Sequence, residues 1–152
     1  MRWTALLAEA PIDPAAELRQ LIDAAPGSGG IVSFVGVARP SSTAGDSVER
    51  LVLEHHPSLT FRSLEAIAAA ALDRFEIDHV RVVHRCGEVL AGDPIVFAGA
   101  ASAHRRAAFE AADYLMDRLK TEAVFWKRED GPSGSRWIEP TEADYAERAR
   151  WE

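Results

Sequence analysis

Residues 95–128 read IVFAGAASAHRRAAFEAADYLMDRLKTEAVFWKR and contain a strand, a long helix and a second strand in succession. Residues 95–100 form an apolar run that predicts a buried strand. From 102 to 121 apolar residues recur at helical spacing, which predicts a long helix with Ser102 as its N-cap. The core-facing stripe of that helix consists of Ala108, Ala112, Leu115 and Leu119. Residues 124–128 then predict a strand that pairs with 136–138 across the turn sequence DGPSG.

The segments before and after this stretch continue the mixture of strands and helices. They predict strands at 31–38, 48–56 and 80–85, a long helix at 58–75, and short helices at 14–23 and after Thr141. Asp13 followed by Pro14 is typical of a helix N-terminus. Because the elements do not follow a strict strand–helix–strand repeat, the sequence predicts an α+β fold. We expect a mixed or antiparallel sheet, two long helices and a small β-hairpin.

The composition is that of a folded, acidic protein. The chain has 152 residues, which predicts a single domain over 1–152. Hydrophobic residues make up 47% and charged residues 27%, both ordinary for a globular protein. The formal charge of −7 argues against a nucleic-acid partner, because nucleic acids are bound by basic surfaces. Any anionic ligand must therefore meet a local basic cluster.

The sequence also indicates a cytoplasmic protein without a membrane partner. Its longest apolar runs, such as 66–72, are far shorter than the roughly 20 residues of a membrane span. The amino-terminal stretch MRWTALLAEAP makes a poor signal peptide. Cys86 is the only cysteine, which excludes an internal disulfide and a multi-cysteine zinc site. We expect neither a bound metal nor a cofactor.

The basic residues are unevenly placed along the chain. His104, Arg105 and Arg106 open the predicted long helix, where the helix dipole disfavours cations. Free helix N–H groups beside arginine make a good seat for an anion. Other basic residues lie at the ends of predicted elements or in the strand that follows, namely Arg39, Lys120, Lys127 and Arg128. These residues alone leave two interpretations open, a phosphate or carboxylate site and a solvated charged face.

Other polar residues are weaker candidates for a site. His84 and Cys86 share one strand face and could hold a metal or form an activated thiol, although two ligands make a poor metal site. His55 and His56 are neighbours in a strand, so they point to opposite faces and do not easily chelate one metal. The long helix also carries an acidic row that we expect to face solvent, consisting of Glu110, Asp113 and Asp117.

A series of short blocks forms an ordered pattern along the chain. The blocks are FVGVAR (34–39), GDSV (45–48), LEHHP (53–57), HRCGE (84–88), GD (92–93), SAHR (102–105), YLMD (114–117), LKT (119–121) and FWKRE (125–129). Together they resemble the catalytic (large) subunit family of molybdopterin synthase. The resemblance covers about residues 30 to 140 and is weak in 1–28 and 141–152.

The resemblance implies an α/β hammerhead fold and a sulfurtransferase activity in molybdenum cofactor biosynthesis. It implies a homodimer that forms a heterotetramer with a small sulfur-carrier subunit. The carboxyl-terminal Gly-Gly thiocarboxylate of that partner delivers sulfur, and cyclic pyranopterin monophosphate receives two sulfurs to become the dithiolene of molybdopterin. A non-catalytic binding module for a phosphorylated metabolite and an inactive scaffold that keeps the partner interface remain as alternatives.

The resemblance also implies roles for individual residues. The implied catalytic residues are Lys120 and Lys127, the implied substrate-binding residues are Arg39, His104, Arg105, Lys120, Lys127, Arg128 and Glu129, and the implied pocket lining is Phe34, Val37, Ala38 and Met116. Arginine and lysine suit both a phosphate and a thiocarboxylate, because both are anions. Val37 and the pair Pro140-Thr141 stand where relatives can be basic, which implies a less basic pocket rim.

The spacing of two of these residues constrains the assembly. Arg105 and Lys120 lie 15 residues apart on one predicted helix without Gly or Pro between them. Their Cα atoms are therefore about 22 Å apart along the helix axis, too far for one small substrate to bridge. We predict a two-fold homodimer in which His104 and Arg105 of one copy complete the pocket of the other, which holds Lys120, Lys127 and Arg39.

Overall fold

The computed structural model describes residues 2–152 as eight strands and four helices. In chain order they are β1 (Trp3–Ala8), α1 (Pro14–Ala24), β2 (Gly30–Val37), β3 (Arg50–His55), α2 (Leu59–Arg74), β4 (His79–Arg85), β5 (Gly87–Leu90), β6 (Pro94–Ser102), α3 (Arg105–Glu122), β7 (Phe125–Gly131), β8 (Gly134–Ile138) and α4 (Glu142–Ala149). Every strand and helix predicted from the sequence is present. The α+β class is confirmed.

The strands form two four-stranded sheets. The first has the order β1-β4-β6-β2, in which β1 is parallel to β4 and the other neighbours are antiparallel. The second has the order β5-β3-β7-β8 and is antiparallel throughout. The predicted hairpin is β7 and β8, at one edge of this second sheet. The mixed and antiparallel sheets expected from the sequence are thus both present.

Helices cover both faces of the first sheet. On one face α2 and α3 bury Leu64 and Leu115 against Val80 of β4. On the other face α1 packs Leu21 against Phe97 of β6. Side chains alternate along a strand, so β6 contributes to both cores, which explains its continuous apolar run. None of the helices in residues 2–152 has the length and apolarity that crossing a membrane requires.

Two strands, β1 and β5, were not predicted. Both lie at sheet edges, and each has a single buried side chain, Ala5 in β1 and Val89 in β5. One buried position in a four- or six-residue strand produces no readable alternation. The pairing of β1 with β4 comes from residues far away in sequence, so local pattern carries no sign of it.

The predicted N-cap of the long helix was wrong. The helix begins at Arg105, and His104 is its N-cap. Ser102 is the last residue of β6, where its hydroxyl donates to the Glu76 carbonyl at 2.9 Å and accepts from the His104 N–H at 3.3 Å. Ser102 therefore ties the end of the strand to the turn before the helix instead of capping the helix.

The acidic row on α3 faces solvent only in part. Glu110 is exposed. Arg150, just after α4, donates to the carboxylates of Asp113 at 3.2 Å and Asp117 at 2.8 Å. The indole N–H of Trp151 also donates to Asp117 at 2.7 Å. The prediction that all three acids face solvent was thus wrong for Asp117, whose side chain is 15% exposed. Asp113 does face solvent, with its side chain 52% exposed, although it also helps to hold the carboxyl-terminal segment against α3.

Candidate functional site

A cavity of about 300 Å³ opens where the two sheets meet the last turns of α3. Its apolar wall comes from the second half of β2, from β6 and from α3. These lining residues are Phe34, Val35, Gly36, Val37, Ile95, Val96, Met116 and Leu119. Its polar side chains are Arg39, His84, Lys120 and Lys127. Three of these four are cations, so the cavity is suited to an anion although the chain as a whole carries −7.

Both lysines of the chain lie in this cavity. The sequence contains only two lysines, Lys120 and Lys127, and both line the cavity. Every other side chain that carries a permanent positive charge is an arginine. Arginine serves equally well in surface ion pairs but does not lose its proton at ordinary pH. Lysine can do so when it is buried. The cavity is therefore the place in this chain where a side-chain amine can become neutral.

Lys127 is the lysine whose surroundings favour the neutral amine. It lies on β7 between Leu53 of β3 and Ile138 of β8. Burial and the charge of Lys120 lower its pKa to about 8 from an ordinary value of 10.5. About one tenth of such an amine is neutral at pH 7, enough for it to act as a proton acceptor or nucleophile. Lys120 is exposed at the end of α3.

The lowered pKa predicts that Lys127 destabilises the fold at neutral pH. Between pH 8 and 10.5 the unfolded chain binds more protons, so the free energy of unfolding rises with pH, and below pH 8 the full penalty applies. We expect Lys127→Met to raise the free energy of unfolding at pH 7 by about 1–3 kcal/mol in urea titrations. Lys120→Met, at an exposed position, should change it by no more than about 0.5 kcal/mol. A Lys127→Met variant no more stable than the parent would contradict this electrostatic account.

His84 was not predicted to belong to the pocket, although it heads the matched block HRCGE. The residue is 4% exposed, and its ring stacks on Phe125 with centroids 4.3 Å apart. Its Nδ1 lies 2.8 Å from the Arg85 carbonyl oxygen, which can only accept, so Nδ1 carries the proton. Burial lowers the pKa of His84 to about 4, and the charge of Lys127 adds to this effect. The imidazole is therefore neutral at physiological pH.

The His84–Cys86 pair does not form the metal or thiol site considered from the sequence. Cys86 is buried, and burial together with Glu9 raises the pKa of its thiol, so a reactive thiolate is disfavoured. Residues 2–152 contain no group of three or more His, Cys, Asp or Glu side chains that could hold a metal ion.

Five sequence-predicted site residues do not line the cavity, and three of them lie next to residues that do or in the same strand. Ala38 is 2% exposed and packs in the core beneath the second sheet. Arg128 follows Lys127 on β7 and so points to the opposite sheet face, where it pairs with Asp130 at 2.7 Å. Glu129 accepts from Arg136 at 3.3 Å and lines a separate cavity.

His104 and Arg105 lie at the far end of α3. Both side chains are exposed, and α3 runs unbroken from Arg105 to Glu122. The Cα of Arg105 lies beside Gly30 at the start of β2, where an added Cβ would be 3.2 Å away. The cavity lies beside the ends of β2 and α3, so these two residues are about 22 Å from Lys120 along the helix.

The fold and the cationic cavity are those of an α+β protein that binds an anionic ligand next to an ionisable lysine side chain. A family model described as MoaE protein matches residues 7–122. The molybdopterin synthase catalytic subunit of Caulobacter vibrioides is 42% identical over 96% of this chain and 95% of its own length. The chain belongs to this family of molybdopterin synthase catalytic subunits, and it is an enzyme of sulfur transfer in molybdenum cofactor biosynthesis.

Solved structures show the same fold. Molybdopterin cofactor biosynthesis protein E from Burkholderia multivorans has a TM-score of 0.83 and 36% identity, covering 99% of this chain and 97% of its own. A complex of subunits 1 and 2 of molybdopterin-converting factor from Helicobacter pylori has a TM-score of 0.71 over 91% and 90% of the two chains. At 20% identity that second likeness shows the fold alone.

Proposed function

We propose that this chain takes sulfur from the carboxyl-terminal Gly-Gly thiocarboxylate of a small sulfur-carrier subunit and transfers it to cyclic pyranopterin monophosphate. Two such transfers form the dithiolene of molybdopterin. The observation that carries this proposal is the convergence of Arg39, Lys120 and Lys127 on one cavity. We also propose that the chain is a single domain over 1–152 and acts in the cytoplasm.

The charge of the cavity supports both anionic reactants. The substrate phosphate and the partner's thiocarboxylate each need a cation, and the cavity offers three. Sulfur arrives on the partner, so the reaction needs no nucleophilic cysteine, which agrees with the buried Cys86. In each transfer the sulfur forms a bond to a substrate carbon in place of an oxygen, which leaves as water or, at the carbon that carries the cyclic phosphate ester, with the phosphate. Water adds to the carbonyl carbon of the terminal glycine, the carbon–sulfur bond there breaks, and the partner leaves as a carboxylate.

Lys127 distinguishes this proposal from a non-catalytic phosphate-binding module. Phosphate binding alone is served best by cations that stay charged, such as arginine. Lys127 instead has a pKa lowered to about 8, which suits general acid–base chemistry or a transient covalent intermediate. Lys120 helps by its charge, since that charge is one cause of the lowered pKa. We therefore assign catalytic roles to Lys120 and Lys127 and substrate binding to Arg39.

A homodimer would bring the remaining predicted residues to the cavity. β2 is an edge strand with half-exposed apolar side chains, including Phe34 and Val37. Apolar edge strands are prone to pair with a second chain. β2 and α3 run in the same direction, so a two-fold axis across the middle of β2 would place the start of the partner's α3 near this cavity. This geometry supports a pocket completed by His104 and Arg105 of a second copy, within a heterotetramer.

The substrate-binding roles that the resemblance implies for Arg128 and Glu129 stay predictions.

The turnover assay that tests this function combines the chain with a thiocarboxylated small subunit and cyclic pyranopterin monophosphate. We expect dithiolene product, detected after oxidation to a fluorescent pterin. A partner that lacks its last two glycines should give no product, because its globular part cannot reach the cations in the cavity. Full activity with that truncated partner would exclude the tail-in-pocket mechanism. Complex formation alone is a poor test, since the globular faces can also bind.

A further inference from the structure

His84 differs in one chemical respect from the other polar side chains of the cavity. Arg39, Lys120 and Lys127 are hydrogen-bond donors when charged and accept nothing. Apart from the minor neutral fraction of Lys127, His84 is the one side chain with nitrogen or oxygen among the described residues of the cavity wall that accepts a hydrogen bond at neutral pH. Any N–H group brought into this cavity therefore finds its main side-chain acceptor in His84.

The local packing fixes which atom accepts. Nδ1 donates to the Arg85 carbonyl oxygen at 2.8 Å, so the lone pair of the neutral ring is on Nε2. Phe125 stacks on a face of the ring, with the two ring planes 24° apart. Within residues 2–152 the Nε2 atom has no hydrogen-bond partner. The only side-chain atom there that is both fully buried and unpaired is Arg85 Nε, so Nε2 keeps some accessible surface. Because His84 lines the cavity, we infer that this accessible Nε2 edge opens to the cavity.

We propose that His84 is a ligand-binding residue whose Nε2 accepts a hydrogen bond from an N–H group of the molecule that occupies the cavity. The inference rests on the proposed function, which supplies two sources of such a group. One is the pterin ring of the substrate, and the other is the backbone of the partner's Gly-Gly tail. Either would lose its hydrogen bond to water on entering an apolar-walled cavity, so the acceptor matters for affinity.

Two substitutions separate this role from a structural one. His84→Phe keeps an aromatic ring against Phe125 and removes the acceptor. His84→Gln loses the ring and keeps an acceptor oxygen near the position of Nε2. If His84 only fills space, Phe should be the better replacement. If Nε2 accepts a ligand N–H, Gln should be the better replacement for binding, and thermal unfolding of both variants identifies any loss of fold.

Calorimetric titrations with three probes test the proposal. The probes are inorganic phosphate, cyclic pyranopterin monophosphate, and a carboxylate-ended peptide of the partner's last residues. We expect His84→Phe to weaken either the pterin or the peptide by about ten-fold and His84→Gln to restore most of that loss. Phosphate should bind equally to all three proteins. The probe whose affinity falls identifies the source of the N–H group.

Unchanged affinity of His84→Phe for both the pterin and the peptide would overturn the proposal. A parent protein that binds neither probe would overturn the proposed function as well, so the two failures are distinguishable. If His84→Phe does not fold, the proposal can still be tested on the unsubstituted protein by nuclear magnetic resonance. In protein labelled with ¹⁵N-histidine, the Nε2 resonance of His84 should shift when the binding probe is added, and an unmoved resonance would overturn the proposal.

Discussion

Lys120→Ala is expected to abolish sulfur transfer, and Lys127→Ala to impair it severely, while both variants stay folded. The reaction places two anions in one cavity and moves protons there, and removing either lysine takes away a cation from that cavity. Loss of a positioned acid–base group commonly reduces turnover by about 100-fold or more. Lys120 is exposed at the helix end, so its removal should alter stability by no more than about 0.5 kcal/mol. Dithiolene formation in the turnover assay measures the effect.

Arginine variants then separate charge from amine chemistry. Lys127→Arg keeps a cation but does not lose its proton, so we expect it to remain severely impaired. Arg19→Ala is a suitable control, because that exposed side chain pairs with Asp23 on the surface of α1. Near-normal product formation by Lys120→Ala would remove Lys120 from the mechanism. Full activity of Lys127→Arg would show that Lys127 contributes charge only.

Local pattern was sufficient for the elements that build the cavity. The stripe of Ala108, Ala112, Leu115 and Leu119 predicted α3, and all four of these residues are buried. That helix places Lys120 at its end, and the turn after it sends the chain into β7 with Lys127. These residues are separated by seven positions, so their approach depends on one helix end and one turn. The resemblance supplied what local pattern does not, namely which of the basic residues act together.

Other features of the site depend on contacts that local pattern does not contain. His84 reaches the cavity because β4 lies beside β6 and because Phe125, 41 positions away, packs on its ring. Val37 lies beyond an irregularity in the pairing of β2 with β6, so strand alternation alone does not set its direction. The orientation of Arg128, in contrast, could have been predicted, because neighbouring strand residues point to opposite faces.

Mixed dimers are expected to regain activity that each parent variant lacks. In the composite pocket proposed above, Arg105 of one copy and Lys120 of the other act on the same substrate. Arg105→Ala and Lys120→Ala should therefore each be inactive alone. Co-expression with two different affinity tags, followed by sequential purification, isolates dimers that contain one copy of each variant. In such a dimer one pocket carries both substitutions and the other carries neither. Its activity should reach up to about half that of the unsubstituted dimer.

The opposite arrangement gives a different result with the same proteins. If Arg105 and Lys120 of one chain served one pocket, each pocket of a mixed dimer would carry one substitution and stay inactive. The observed α3 is unbroken over Arg105–Glu122, which keeps the two residues of one chain about 22 Å apart. A mixed dimer of Lys120→Ala with Lys127→Ala is the matched control. Lys120 and Lys127 of one chain line the same cavity. Each pocket of this control dimer would therefore carry one substitution, and no rescue of activity is expected. Absence of rescue in verified Arg105→Ala/Lys120→Ala dimers, with both parents folded and inactive, would exclude the composite pocket.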